Sequence, residues 1–212
     1  MALAYVPARH RAAIAALWNL DAAMADVLRS TSEPMLGQIR LAWWRERLQE
    51  LDGGAVPAEP RLRAAAAELL PRGIRGAELA GLEGGWLRLL LDDFPWTVAT
   101  SEAVWFRGRL LFGFAAALLG ERGEAIEAAG GVWALADTAR HCSDLKSRAL
   151  LLDQARSLGR GLGSMTFGQR VRPLSMLAAL ALRDASRGEP MEPEGTPARA
   201  WTLLRHRVTG RL

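Results

Sequence analysis

Arg29-Ser30-Thr31-Ser32-Glu33-Pro34-Met35-Leu36-Gly37-Gln38-Ile39-Arg40-Leu41-Ala42-Trp43-Trp44-Arg45-Glu46-Arg47-Leu48 is the stretch on which the fold turns. Ser32-Glu33-Pro34 reads as a helix start: a hydroxyl that can cap, an acid near the positive helix end, and a proline in the first turn. Beyond it, Leu36, Ile39, Trp43 and Arg47 form one stripe, and Leu36, Arg40, Trp44 and Leu48 a neighbouring one. Two readings fit this spacing. One is a helix with a bulky core face and a solvated arginine face. The other is an arginine-lined wall of a ligand cavity.

Helical periodicity extends outward from this stretch. Residues 7–28 carry Ile14, Leu17, Leu20, Met24 and Leu28 at helical spacing, with alanine between them. After the helix over 34–51, Asp52 to Pro60 breaks the chain with glycine and proline. Further helices are expected over 61–70, 77–91, 97–120, 124–142, 144–158, 173–186 and 197–207. The segment 97–120 is apolar almost all round, which predicts the central helix. Gly130-Gly131 marks a possible bend in the next one. No strand pattern and no repeat is present. The expectation is an all-α, single-domain helical bundle over residues 1–212.

Composition narrows the function classes. The chain has 212 residues, half of them hydrophobic, which is enough for a core. Its formal net charge is +4, and Lys146 is the single lysine. The basic side is therefore arginine, which grips carboxylates and phosphates with a fork of donors. Anionic partners follow: a diphosphate, an acidic membrane surface or nucleic acid. A GC-rich genome gives the same bias. The arginines are scattered, and no nucleic-acid motif appears, so no nucleic-acid partner is expected. Cys142 is the only cysteine, which excludes an internal disulfide. The apolar start at residues 1–7 is too short for a signal peptide core, and no window of ~20 apolar residues offers a membrane span. A cytoplasmic location is expected, with peripheral contact to the inner membrane left open.

Candidate chemistry is sparse. Asp137, His141 and Asp144 are spaced i, i+4, i+7, and a continued helix would put all three on one face with metal-ligand spacing. Ser143-Asp144 also reads as a cap between two helices, which would leave only a polar face. Asp21 and Asp26 are five apart, about 140° around a helix, so they cannot share a face. Asp92 and Asp93 precede a Phe-Pro-Trp turn and read as turn formers. The glycine-rich segment 159–168 is no phosphate loop, because no Gly-Lys-Ser/Thr follows.

Ala16-Leu17-Trp18-Asn19-Leu20-Asp21, the quoted stretch through Arg45, and the segment Arg107 to Gly120 resemble the squalene/phytoene synthase superfamily. The resemblance is closest to its short, divergent branch, which includes a mitochondrial complex I assembly factor. It implies a helical bundle of isoprenoid-synthase type. Active members condense two prenyl diphosphates, with magnesium held by paired aspartates on two facing helices. Here the first motif falls on Ala25 to Arg29 and keeps only Asp26; the second region keeps Asp137, Arg140 and Asp144 without the pattern. The resemblance thus implies a non-catalytic member that binds an isoprenoid or lipid-like ligand or a protein partner, in a respiratory-complex-assembly type of role. No cofactor is then expected. The alternative is an active, magnesium-dependent prenyltransferase using Asp21 or Asp26 with Asp137 and Asp144. The ligand residues that the resemblance implies are Arg29, Arg40, Trp44 and Arg45, with Asp137, Arg140 and His141 opposite them.

Overall fold

Ten helices and short 3-10 turns make up the regular structure of the computed structural model, which describes residues 5–54 and 56–212. Four of the first seven residues and Ala55 of the 52–60 loop lie outside the described residues. Among those described, the only β-type pairing is an isolated antiparallel bridge between Thr166 and Arg211. The chain forms two compact units: Val6–Asp92, and Asp93–Leu212 with Tyr5.

The N-terminal unit begins with α1 (Ala8–Ser30), whose buried face carries Ile14, Leu17, Leu20, Met24 and Val27. α2 (Pro34–Glu50) follows a three-residue turn. Its N-terminus is entered through an extended Glu33 with Pro34 in the first turn, and no side chain caps it. The hydroxyl cap expected from Ser32 is therefore not made. Arg40 holds the turn instead, donating from Nη1 to Ser30 Oγ (3.0 Å) and Thr31 Oγ1 (2.7 Å). The buried stripe of α2 is Gly37, Leu41, Trp44 and Leu48. Of the two expected stripes, the one through Ile39 and Trp43 faces solvent, while Trp44 and Leu48 are inside. α2 and α5 approach closely at Gly37, where a Cβ would meet the Leu90 side chain at 2.7 Å. α3 (Pro60–Glu68) packs on α1. The single helix expected over 77–91 is broken into α4 (Gly76–Leu79), a 3-10 turn at Ala80–Leu82 and α5 (Glu83–Leu91). Gly81, Gly84 and Gly85 weaken the helix there. Asp52 caps α4 from the loop, accepting from Gly76 N–H (2.6 Å) and Ala77 N–H (2.9 Å).

The C-terminal unit contains α6 (Val98–Leu118), α7 (Glu124–His141), α8 (Leu145–Gly159), α9 (Arg172–Arg187) and α10 (Pro197–Thr209). Thr97 and Thr100 form a reciprocal cap that starts α6. The central helix is α7 rather than the more apolar α6. α7 packs on α6, α8 and α9, whereas Phe106 of α6 is 55% exposed. Small residues explain this. Ala129, Gly130, Gly131, Ala134, Ala136 and Ala139 are all buried on α7 and let three helices approach it. Gly130-Gly131 does not interrupt the helix. A Cβ on Gly108 would overlap the Gly130 carbonyl, and a Cβ on Gly130 would overlap that of Gly108, so α6 and α7 touch backbone to backbone.

Candidate ligand cleft

Three helices of the C-terminal unit converge on one cleft of about 370 Å³. α7 supplies Trp133, Ala136, Asp137 and Arg140 at i, i+3, i+4, i+7, the positions of one helical face. α9 supplies Leu177, Leu180, Ala181 and Asp184 on the same spacing. α10 adds Arg199, Ala200 and Leu203, and the segment before it adds Glu194 to Thr196. The volume lies in the range of small-molecule sites, and the walls are mainly apolar with a few converging polar groups.

An ion triad closes its polar end. Asp184, 5% exposed, accepts from Arg140 Nη2 at 2.7 Å and from Arg199 Nη1 in a very short contact. Arg140 also donates from Nη1 to the Glu192 carbonyl (2.9 Å). The two arginines are 15% and 11% exposed and share the one Asp184 carboxylate, which offsets one of their two charges. The 188–195 segment is pinned beside them. Glu192 accepts from Arg183 Nε (2.6 Å) and Thr196 Oγ1 (2.6 Å). Its hydrogen bonds to Arg183 and then Thr196 pull the carboxyl down to about 2. At the apolar end, Trp133 stacks on Phe112 at 5.4 Å, and the buried Arg107 lies 5.9 Å over the Trp133 ring.

The seven ligand candidates fall into both units. Asp137 and Arg140 line the cleft. His141 is exposed at the end of α7, its Nδ1 2.8 Å from the Asp137 carbonyl. In the N-terminal unit, Arg29 is ion-paired with Asp26 at 2.5 Å, and Arg40 binds the turn hydroxyls. Trp44 is buried edge-on against Trp43, with ring centres 5.2 Å apart. Arg45 lies 3.7 Å from the buried Glu83. Burial raises the Glu83 carboxyl above its usual range, and Arg45 opposes that shift. Arg40 and Arg45 of α2 thus have intramolecular partners.

Four further acids are also engaged. Asp21 is buried and accepts from Trp86 Nε1 at 2.9 Å. Asp26 carries Arg29, with Arg61 at 3.9 Å. Asp92 pairs with Arg88 at 2.7 Å. Asp137, His141 and Asp144 do not share a helix face, because α7 ends at His141 and Cys142 is extended. Asp144 is the N-cap of α8, accepting from Ser147 N–H (2.7 Å) and Ser147 Oγ (2.6 Å). Those two bonds lower its carboxyl below the usual range. The cap reading of Ser143-Asp144 is the one realised.

Asp184 and Arg199 escaped sequence reasoning. A signal was present: Asp184 continues the apolar series Leu177 and Ala181, so it is an acid on a buried face. Such an acid requires cations, and α7 and α10 each supply an arginine. No family model, curated protein or solved structure matches the chain. No helix among the described residues is long and apolar enough to cross a membrane.

Proposed function

We propose that this is a non-catalytic helical protein that holds an isoprenoid or lipid-like ligand in the α7–α9–α10 cleft. One observation carries the reading: an apolar cleft whose two arginines share a single buried aspartate, which leaves one positive charge at its polar end. Trp133, Leu177, Leu180 and Leu203 offer a slot for a hydrocarbon chain. Arg140 is half-buried, and its donors beyond those given to Asp184 and the Glu192 carbonyl suit one polar head group at the polar end. The squalene/phytoene synthase resemblance points to the same ligand class. A role in the assembly of a respiratory complex belongs to this reading through the resemblance alone.

Magnesium chemistry does not fit the acids in place. A magnesium ion bridging to phosphate needs carboxylate oxygens that can turn toward it. Asp21, Asp26 and Asp144 are held by Trp86, Arg29 and Ser147. Of the four acids from which the alternative draws its three, Asp137 is the one that lines the cleft. That position is what favours the second reading, an active prenyltransferase.

Labelled farnesyl and geranylgeranyl diphosphate, with and without magnesium, separate the two. Binding with no diphosphate release is the expected result. Magnesium-dependent release that Asp137→Ala abolishes would establish the enzyme instead.

A further inference from the structure

α10 presents two faces of opposite character. At 100° per residue, Arg199, Leu203 and His206 fall within about 60° of one another. All three are buried. They are pinned by the Asp184 ion pair, by the cleft wall and by a 2.7 Å hydrogen bond between His206 Nε2 and Ser175 Oγ. The opposite arc holds Trp201, Leu204 and Val208, again within about 60°. These are 65%, 51% and 72% exposed. The inner anchors fix the rotation of the helix, so the apolar stripe is held outward.

Charge surrounds that stripe. Arg205 lies beside Trp201, Arg207 lies beyond Leu204, and Arg211 follows the helix; all are exposed. The Arg207 guanidinium lies 5.1 Å over the Tyr5 ring, which keeps it at the surface. Between Gly195 and Leu212 there is no Asp or Glu. A surface helix with tryptophan and aliphatics outward and arginines alongside matches a lipid interface: the rings and aliphatics enter the acyl boundary and the arginines meet anionic head groups. An acidic protein groove could accept the arginines. However, an exposed Trp201 at the edge of a basic stripe is the arrangement that interfacial partitioning rewards.

We propose that the outward face of α10 docks this protein on an anionic lipid surface, with Trp201, Leu204 and Val208 inserted and Arg205 and Arg211 on the head groups. This docking does not depend on whether the cleft is occupied.

The test is co-sedimentation of the full chain with phosphatidylcholine–phosphatidylglycerol vesicles and with phosphatidylcholine vesicles alone. Binding is expected on the anionic vesicles, weakened by salt and far weaker on the neutral ones. Trp201→Ser/Leu204→Ser/Val208→Ser alters only exposed positions, so it should keep native circular dichroism while losing vesicle binding. Arg205→Gln and Arg211→Gln should each weaken binding about fivefold. Three results would overturn the proposal: no binding of the wild type to anionic vesicles, equal binding to neutral ones, or unchanged binding of the folded triple variant. The first would direct the search to an acidic protein or nucleic acid.

Discussion

Asp184→Asn is the substitution with the most to reveal. The Asp184 carboxylate, 5% exposed, is the shared acceptor for Arg140 and Arg199. Asparagine keeps the shape and one carbonyl oxygen but removes the charge. Two mostly buried guanidinium groups would then face an amide whose NH2 donates toward them. Removing one partner from a buried pair costs about 3–5 kcal/mol, because the remaining charge stays desolvated. For a chain of this size each kcal/mol moves the midpoint by roughly 2–4 °C, so a loss of about 6–20 °C is expected. Scanning calorimetry reads it directly, and urea denaturation should show the same loss with an unchanged slope. A compensating variant sharpens the test. Asp184→Leu with Arg140→Met and Arg199→Met replaces the triad by apolar side chains. It should recover most of the loss, because apolar replacement of a whole buried triad is often neutral. Asp184→Asn within about 0.5 kcal/mol of wild type, the range of an ordinary surface change, would refute the triad as a structural element.

Other expectations follow from single contacts. Gly108→Ala puts a methyl into the Gly130 carbonyl, and overpacking of this kind costs about 1–3 kcal/mol; equilibrium unfolding checks it. His206 is held below its ordinary 6.5, chiefly by burial. Its neutral form is therefore favoured in the fold, so its contribution is present above pH 6.5 and is lost as pH falls below it. His206→Gln should flatten the stability profile in that window, as read by denaturation at a series of pH values. Glu192, pulled down to about 2, contributes above pH 4.5 and less as pH falls toward 2. Glu192→Gln should speed hydrogen exchange across residues 188–196 at neutral pH. Leu180→Trp narrows the cleft from a half-buried wall position and should lower prenyl-ligand affinity at least about tenfold by isothermal titration, one lost anchor being worth 1.4 kcal/mol or more.

Helix positions were readable wherever apolar spacing and end signals agreed. Thr196-Pro197 opens α10 and Asp144 opens α8 as their residue types suggest. What sequence concealed was long-range. The cap of α4 comes from Asp52, 24 residues earlier than Gly76, so no local pattern announces it. The centrality of α7 rests on small residues that permit approach, whereas a hydrophobicity argument selects α6. On α2, Trp43 and Trp44 are equivalent as text. Their fates diverge because Trp44 shares the inward arc of Gly37, Leu41 and Leu48, while Trp43 sits about 100° around the helix. At the cleft, Asp137 and Arg140 are legible as polar residues of one helix, whereas Asp184 is not. Its partners are distant in sequence: Arg140 lies 44 residues before it and Arg199 lies 15 after it.

Photo-crosslinking tests the central claim most directly. A diazirine-bearing farnesyl ligand would be irradiated with the full chain, and the labelled peptides mapped by mass spectrometry. The account predicts label on the peptides carrying Trp133 to Arg140, Leu177 to Asp184 and Arg199 to Leu203, and loss of that label with Leu180→Trp. Label confined to the α2 peptide with Arg40, Trp44 and Arg45, or no saturable label anywhere, would contradict it.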